Sequence, residues 1–236
     1  MASKRYAQAT ALVDRKKVYP LNEAAALLKQ FPAAKFNETV QLSVSLGIDP
    51  KKTDQTIRGA VVLPHGTGQT RRIAVFCKGE QELAAKQAGA DYVGSADLIQ
   101  KIQDGWLEFD VAIATPDLMR EVSRLGKVLG PRGLMPNPKV GTVTTDVAKA
   151  IAEVKQGKVE LKMDKLSNLH VAVGKLSFEA TQLVDNVATV LTTLVHARPS
   201  SLKGTFIRRV VLSSTMSPGL AIDHTPFLET ERDGRS

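Results

Sequence analysis

Along residues 39–46 apolar and polar positions alternate without a break: Val40, Leu42, Val44 and Leu46 fall on one side, Thr39, Gln41, Ser43 and Ser45 on the other. A period of two predicts a strand with one face in a core and one open. Every residue on the open side is small or uncharged and hydrogen-bonding, which suits ordinary solvent and equally suits ribose and phosphate oxygens. Upstream, Asn22 as a cap, Glu23 in a first turn and the stripe Ala24, Leu27, Leu28 and Phe31 predict a helix that Pro32 ends. Residues 57–63 read as a second strand.

From Ile73 the pattern changes. IAVFC is a continuous apolar run, as in a strand covered on both faces. A helix over 80–88 closed by Gly89, a short strand at 91–93, a helix capped by Ser95 and closed by Gly105, the strand VAIA at 111–114 and a helix over 117–124 follow. Such alternation predicts a parallel sheet with right-handed crossovers. GKVLGPRGLMPNPKVGT, residues 126–142, holds three prolines, several glycines and basic residues and no acid. It reads as a shaped loop whose Val128, Leu129, Leu134 and Met135 pack onto a core. After a helix over 145–156, alternation returns in Val159, Leu161 and Met163, with 170–173 as a partner strand. Ser177 is placed to cap a long helix bearing Leu183, Val187, Leu191 and Leu194, and 205–212 form the last strand.

The two ends therefore share one grammar and the middle another. The expected fold is α/β with two domains: a split α+β outer domain formed by both termini, residues 1–66 and 158–236, and an inserted Rossmann-like α/β domain with a parallel sheet, residues 67–157. Crossings at 64–68 and 156–157 would act as a hinge.

Charge narrows the partner. The chain of 236 residues has a net charge of +8, which points to a polyanion, nucleic acid first. Lys4, Arg5, Arg15, Lys16 and Lys17 face only Asp14 in the first segment, a helix or arm lying against either the fold or a phosphate backbone. Arg198, Lys203, Arg208 and Arg209 form a second basic run without an acid. Cys77 is the only cysteine, which excludes an internal disulfide and a multi-cysteine zinc site. The absence of a signal core or a run of about 20 apolar residues points to the cytoplasm and away from a membrane partner.

Catalytic spacing is missing. No GxxxxGK[ST], HExxH or GxSxG occurs, no GxGxxG follows a strand, and His65, His170, His196 and His224 lack ligand spacing. HGTGQT leads into a strand rather than a helix and reads as a turn. No catalytic residue, metal or cofactor is expected, and a nucleotide-dependent enzyme is disfavoured. Aromatic residues make up 5% and no RNP motif appears, so folded RNA read through its sugar-phosphate surface fits better than stacked single strands.

KFNETVQLSVSLGID, QTIRG, AGADYVG, GWLEFD, LGPRGLMPNPKVGTV, the GTF opening the last strand and the terminal STM occur in this order between Lys35 and Met216, within a likeness that extends over roughly residues 4–222. Together they resemble the bacterial branch of the ribosomal protein L-one family. That resemblance implies the same two-domain fold and a protein that binds large-subunit ribosomal RNA. It also implies the head of a mobile stalk that helps release deacylated exit-site tRNA, repression of its own operon mRNA, and a monomer off the ribosome. Carried over by position, the RNA strip would comprise Lys35, Phe36, Thr39 and Gln41, then Asp164 and Lys165, then Arg209, Ser213, Thr215, Met216 and Ser217. Lys35, Lys165 and Arg209 would meet phosphates, Thr39, Ser213 and Thr215 riboses, and Phe36 and Met216 would exclude water. Glycine usually follows the Thr-Met pair in the family. Ser217 stands there instead, its hydroxyl either bonding RNA or slightly lowering affinity, so Ser217→Gly is expected to keep or improve binding.

Overall fold

The structure, a computed structural model, describes residues 4–50, 52–202 and 204–228; Lys203 of the late basic run lies outside them. The elements run α1 (Lys4–Ala11), α2 (Leu21–Gln30), β1 (Thr39–Leu46), β2 (Arg58–Val62), β3 (Ile73–Phe76), α3 (Glu80–Gln87), β4 (Tyr92–Gly94), α4 (Ala96–Gln103), β5 (Val111–Ala114), α5 (Met119–Val122), α6 (Gly126–Leu129), α7 (Val147–Gln156), β6 (Lys158–Lys162), β7 (Asn168–Lys175), α8 (Ala180–His196), β8 (Ile207–Ser214) and β9 (Leu220–Ile222). Contacts divide the chain into two compact units, residues 1–68 with 159–236 and residues 69–158.

In the first unit the strand order is β7-β1-β8-β9, antiparallel at each pair. Val40, Leu42, Val44 and Leu46 are all at most 2% exposed, packed with residues of α2 and α8. Burial of such side chains contributes about 1.5–3 kcal/mol each, which fixes the register: a slip of one residue would turn all four to solvent. Gly47 follows β1 because a Cβ there would overlap the Thr205 carbonyl, which approaches as Gly47 N–H donates to Phe206 O at 2.7 Å.

Several local expectations need correction. β6 is not the hairpin partner of β7; it pairs with β2 in a separate two-stranded sheet, and just past its end an isolated bridge, Met163↔Leu169, meets β7. β7 instead fills the sheet edge beside β1, where its own alternation buries Leu169, Val171 and Val173. β8 is not the last strand, since β9 pairs with it and Tyr19 N–H donates to Ala221 O at 2.8 Å. Asn22, Ser95 and Ser177 do not cap. α2 begins after Pro20, Ser95 makes no cap bond, and α8 is closed by a capping box between Glu179 and Gln182. The 126–142 segment opens as helix before it becomes loop, with Leu129 buried and Val128, Leu134 and Met135 packed beside it.

Asn186 is fully buried on α8. Its Oδ1 accepts from His65 N–H at 3.1 Å, while its Nδ2 donates to Gly66 O at 3.0 Å and Val173 O at 2.7 Å. These bonds take up His65 N–H and Gly66 O, and Gly66 N–H donates to Leu63 O at 3.1 Å, so the start of the HGTG stretch is a turn held to α8.

The second unit holds a parallel sheet ordered β4-β3-β5. Ala74 and Phe76 face α4 and the helical run 116–129, whereas Ile73, Val75 and Cys77 face α3 and α7. Being covered on both sides explains why the IAVFC run is continuous.

Candidate nucleic-acid interface

The open face of the first unit's sheet is a grid of cross-strand rows. Ser45 lies between Asn168 and Arg209, Ser43 between His170 and Val211, and Gln41 between Ala172 and Ser213. Thr39 ends the grid opposite Lys175, whose Nζ donates to the Thr39 hydroxyl at 2.8 Å. A bulge at the Ser45/Leu46 step of the β1–β8 pair skips Arg208, so Arg208 and Arg209 are both exposed in succession.

At one end of the grid the N-terminal and C-terminal segments of the unit are joined directly. Thr39 N–H donates to the Thr215 hydroxyl at 3.1 Å, and that hydroxyl donates to Thr39 O at 3.3 Å. Behind them sits Glu38, 3% exposed, with its Oε1 3.3 Å from the Arg5 guanidinium. Glu38 Oε2 accepts from the Ser214 hydroxyl at 2.5 Å and from Met216 N–H at 3.0 Å. A carboxylate is the one side chain that can accept from three donors at once, so Glu38 fixes the turn 214–217 against the start of β1. Arg5 is thereby committed to the fold. Nearby, Asn37 and Ser177 exchange two bonds and pin the loop that carries Lys35 and Phe36.

Ser217 closes the same turn. Its hydroxyl accepts from Ser214 N–H at 2.9 Å and donates to Pro218 O at 3.2 Å. Its φ is not positive, so serine fits the backbone without strain, but the hydroxyl is turned to the protein.

The other end of the grid is the turn 164–168. Asp164 accepts from Leu166 N–H at 2.8 Å and Asn168 N–H at 2.7 Å, and its own N–H donates to Asn168 O at 2.8 Å. The Asn168 N–H, aided by that of Leu166, holds the Asp164 carboxyl below its usual range. Ser167 is the one described non-glycine residue with positive φ, at 62°, and its buried hydroxyl donates to Ile48 O at 2.8 Å. Backbone held in this region costs on the order of 1 kcal/mol and is found where the surroundings over-determine it. Here it throws Lys165 and Leu166 outward, Leu166 being 79% exposed.

The predicted residues thus fall into two groups. Lys35, Phe36, Lys165, Arg209, Thr215 and Met216 are exposed, and Thr39, Gln41 and Ser213 are half-buried in the grid. Phe36 and Met216 keep 54% and 53% of their surface in solvent, so neither is core. Lys35, Lys165 and Arg209 make no ion pair among the described residues. Asp164 and Ser217 instead spend their polar atoms on the turns that hold the others. Sequence reading missed Glu38, His170 and Lys175. His170 Nδ1 lies 3.1 Å from Gln41 Nε2 and 3.0 Å from Ser43 Oγ. Its place in the alternating HVAVGK stretch was a usable signal once that stretch is set beside β1. Among the described residues no group of His, Cys, Asp and Glu could hold a metal ion, and no helix is long and apolar enough to cross a membrane.

Comparison with known proteins bears on this surface. The family model described as "Ribosomal protein L1p/L10e family" matches residues 28–218, which include every residue of the grid. The "Large ribosomal subunit protein uL1" of Kosmotoga olearia is 54% identical over 227 residues, covering 96% of this chain and 98% of that protein.

Proposed function

Because this chain belongs to the Ribosomal protein L1p/L10e family, a family of ribosomal proteins rather than enzymes, we propose that it is a constituent of the large ribosomal subunit, and hence cytoplasmic, that binds large-subunit ribosomal RNA through the open face of β7-β1-β8. The observation that carries this reading is the Thr39–Thr215 link, in which the Thr215 hydroxyl bonds the Thr39 backbone and joins the N- and C-terminal segments on a face that carries Lys35, Lys165 and Arg209, cations without an ion-pair partner among the described residues. Folded RNA offers this surface phosphates for Lys35, Lys165 and Arg209 and 2′-hydroxyls for Ser213 and Thr215. Phe36 and Met216, exposed at the same end, cover the contact and keep water out.

The finer parts of the reading follow from the family's resemblance motifs and from the two compact units. The discontinuous first unit is the RNA-binding domain, and the inserted unit is a separate Rossmann-like domain. The crossing at 64–68 is tied to α8 by Asn186, so bending between the domains begins beyond Gly68. On the ribosome the protein heads a mobile stalk that helps deacylated tRNA leave the exit site. Off it, the same strip binds a similar fold in its own operon mRNA and represses translation. A hydroxyl-radical footprint of the full chain on large-subunit ribosomal RNA tests the core claim: protection of one compact fold, lost with Thr215→Val and Lys165→Ala together, is expected. Protection that the double variant leaves intact would move the site elsewhere.

A further inference from the structure

The cations of the second unit are not spread evenly. Residues 69–158 contain thirteen Lys and Arg against eleven Asp and Glu, yet five of those cations and one of those acids fall within 119–141. The remainder of the unit is therefore slightly acidic and this stretch strongly basic. Its one acid, Glu121, is already paired, with Lys78 at 3.0 Å.

Helical geometry gathers the charge. Residues 116–129 form a nearly continuous helical run in which Leu118, Val122, Leu125 and Leu129, at spacings of 4, 3 and 4, are at most 1% exposed. Arg120, Arg124 and Lys127 recur at 4 and 3 on the other side, are all exposed, and have no ion-pair partner among the described residues. They span about 10 Å of helix at 1.5 Å per residue. Just beyond, Gly130 N–H donates to Gly126 O at 2.9 Å and Leu134 N–H to Leu129 O at 3.0 Å, folding the chain back so that the exposed Arg132 adjoins the helix end.

We propose that this ridge is a second RNA-binding surface, independent of the sheet grid, which holds the phosphate backbone of double-stranded RNA. Three cations without counter-charges on a rigid, core-packed helix match a polyanion. Bases are not what it reads: of the unit's aromatic residues Phe76 is buried, and Tyr92, Trp106 and Phe109 meet edge-on or tilted, with ring centroids 4.6 and 5.7 Å apart, at the core rather than along the ridge. No polar uncharged row accompanies the cations, so the contact is a sequence-tolerant one that adds affinity and salt dependence to whatever the grid selects.

The test uses the full chain carrying R120E/R124E/K127E and an RNA duplex of about 20 base pairs and arbitrary sequence, titrated over a range of salt. Affinity at low salt is expected to fall at least about tenfold, and the slope of log affinity against log salt to flatten by about two to three, near 0.9 for each phosphate that is no longer neutralised. The charge-matched variant K86E/K101E/K149E, altering exposed cations of the same unit away from the ridge, should keep duplex affinity within about threefold. Equal affinity and slope for the ridge variant would overturn the proposal, as would an equal loss in the charge-matched one. If the ridge variant melts early because the cations serve the helix terminus, R120Q/R124Q/K127Q decides by the same two readouts.

Discussion

Thr39 and Thr215, 176 positions apart in sequence, share a reciprocal pair of hydrogen bonds in which one hydroxyl both accepts from and donates to the same backbone. The single O–H of Thr215 is spent on Thr39, so what it can offer RNA is a lone pair, for a 2′-hydroxyl or an amino group that donates.

Thr215→Val keeps volume and removes both roles. We expect a loss of roughly 1 kcal/mol in affinity for folded ribosomal RNA, about fivefold, and a similar loss of stability, without unfolding. Calorimetric titration beside a thermal melt checks this; unchanged affinity would take Thr215 out of the contact.

Glu38→Ala should cost more. It strands the Ser214 hydroxyl and Met216 N–H, while the Arg5 side chain, 26% exposed, is screened and recovers solvation. Two unsatisfied groups imply about 2–3 kcal/mol of stability, and the turn bearing Thr215 and Met216 should loosen. Denaturant unfolding measures the first, and amide exchange at Met216 the second. A loss below about 1 kcal/mol would show that the turn holds without its anchor.

For Ser217→Gly the hydrogen bond of the turn argues for a different outcome from the one expected from sequence. Deleting the hydroxyl frees Ser214 N–H and adds backbone freedom to a tight turn, so RNA affinity should drop by about 0.5–1 kcal/mol rather than hold or rise. Equal or tighter binding would show that the hydroxyl does not hold the turn in its RNA-binding shape.

Lys165→Ala leaves the 164–168 turn intact, since its bonds run through Asp164 and Ser167. Binding to ribosomal RNA should weaken and its salt slope flatten by up to about one. An unaltered slope would mean that Lys165 meets no phosphate.

The Asp164 carboxyl, lowered by the Asn168 and Leu166 N–H groups, should titrate below the ordinary value of about 3.9. A depressed folded pKa means that its stabilisation is complete above that ordinary value and is lost as pH falls through the lower folded one. Near neutrality Asp164 therefore contributes no pH dependence to the turn. Carboxyl carbon shifts followed by NMR from about pH 6 downward check this, and a midpoint at or above the ordinary value would contradict it.

The alternation in 39–46, the apolar run at 73–77 and the stripe of α8 were legible because each is a local response to burial, written at a period of two or as a continuous run in strands and at about 3.6 in helices. The candidates Lys35, Lys165, Arg209 and Thr215 came instead from motifs the chain shares with its family, and the structure adds that all four are exposed. Partnership was not legible. Nothing in residues 168–175 says that they join β1 rather than the nearer β6, and FNETV does not announce that Glu38 will be enclosed by Arg5, Ser214 and Met216. Nor does the basic, glycine- and proline-rich stretch from residue 126 reveal that its first turn continues the helix expected over 117–124 and so adds Lys127 to Arg120 and Arg124. Local sequence determines which face of an element seeks the core, because burial energy is gained residue by residue. Which strands meet, and which polar atoms are left facing outward when they do, depends on pairings between distant residues, and these only the tertiary structure decides.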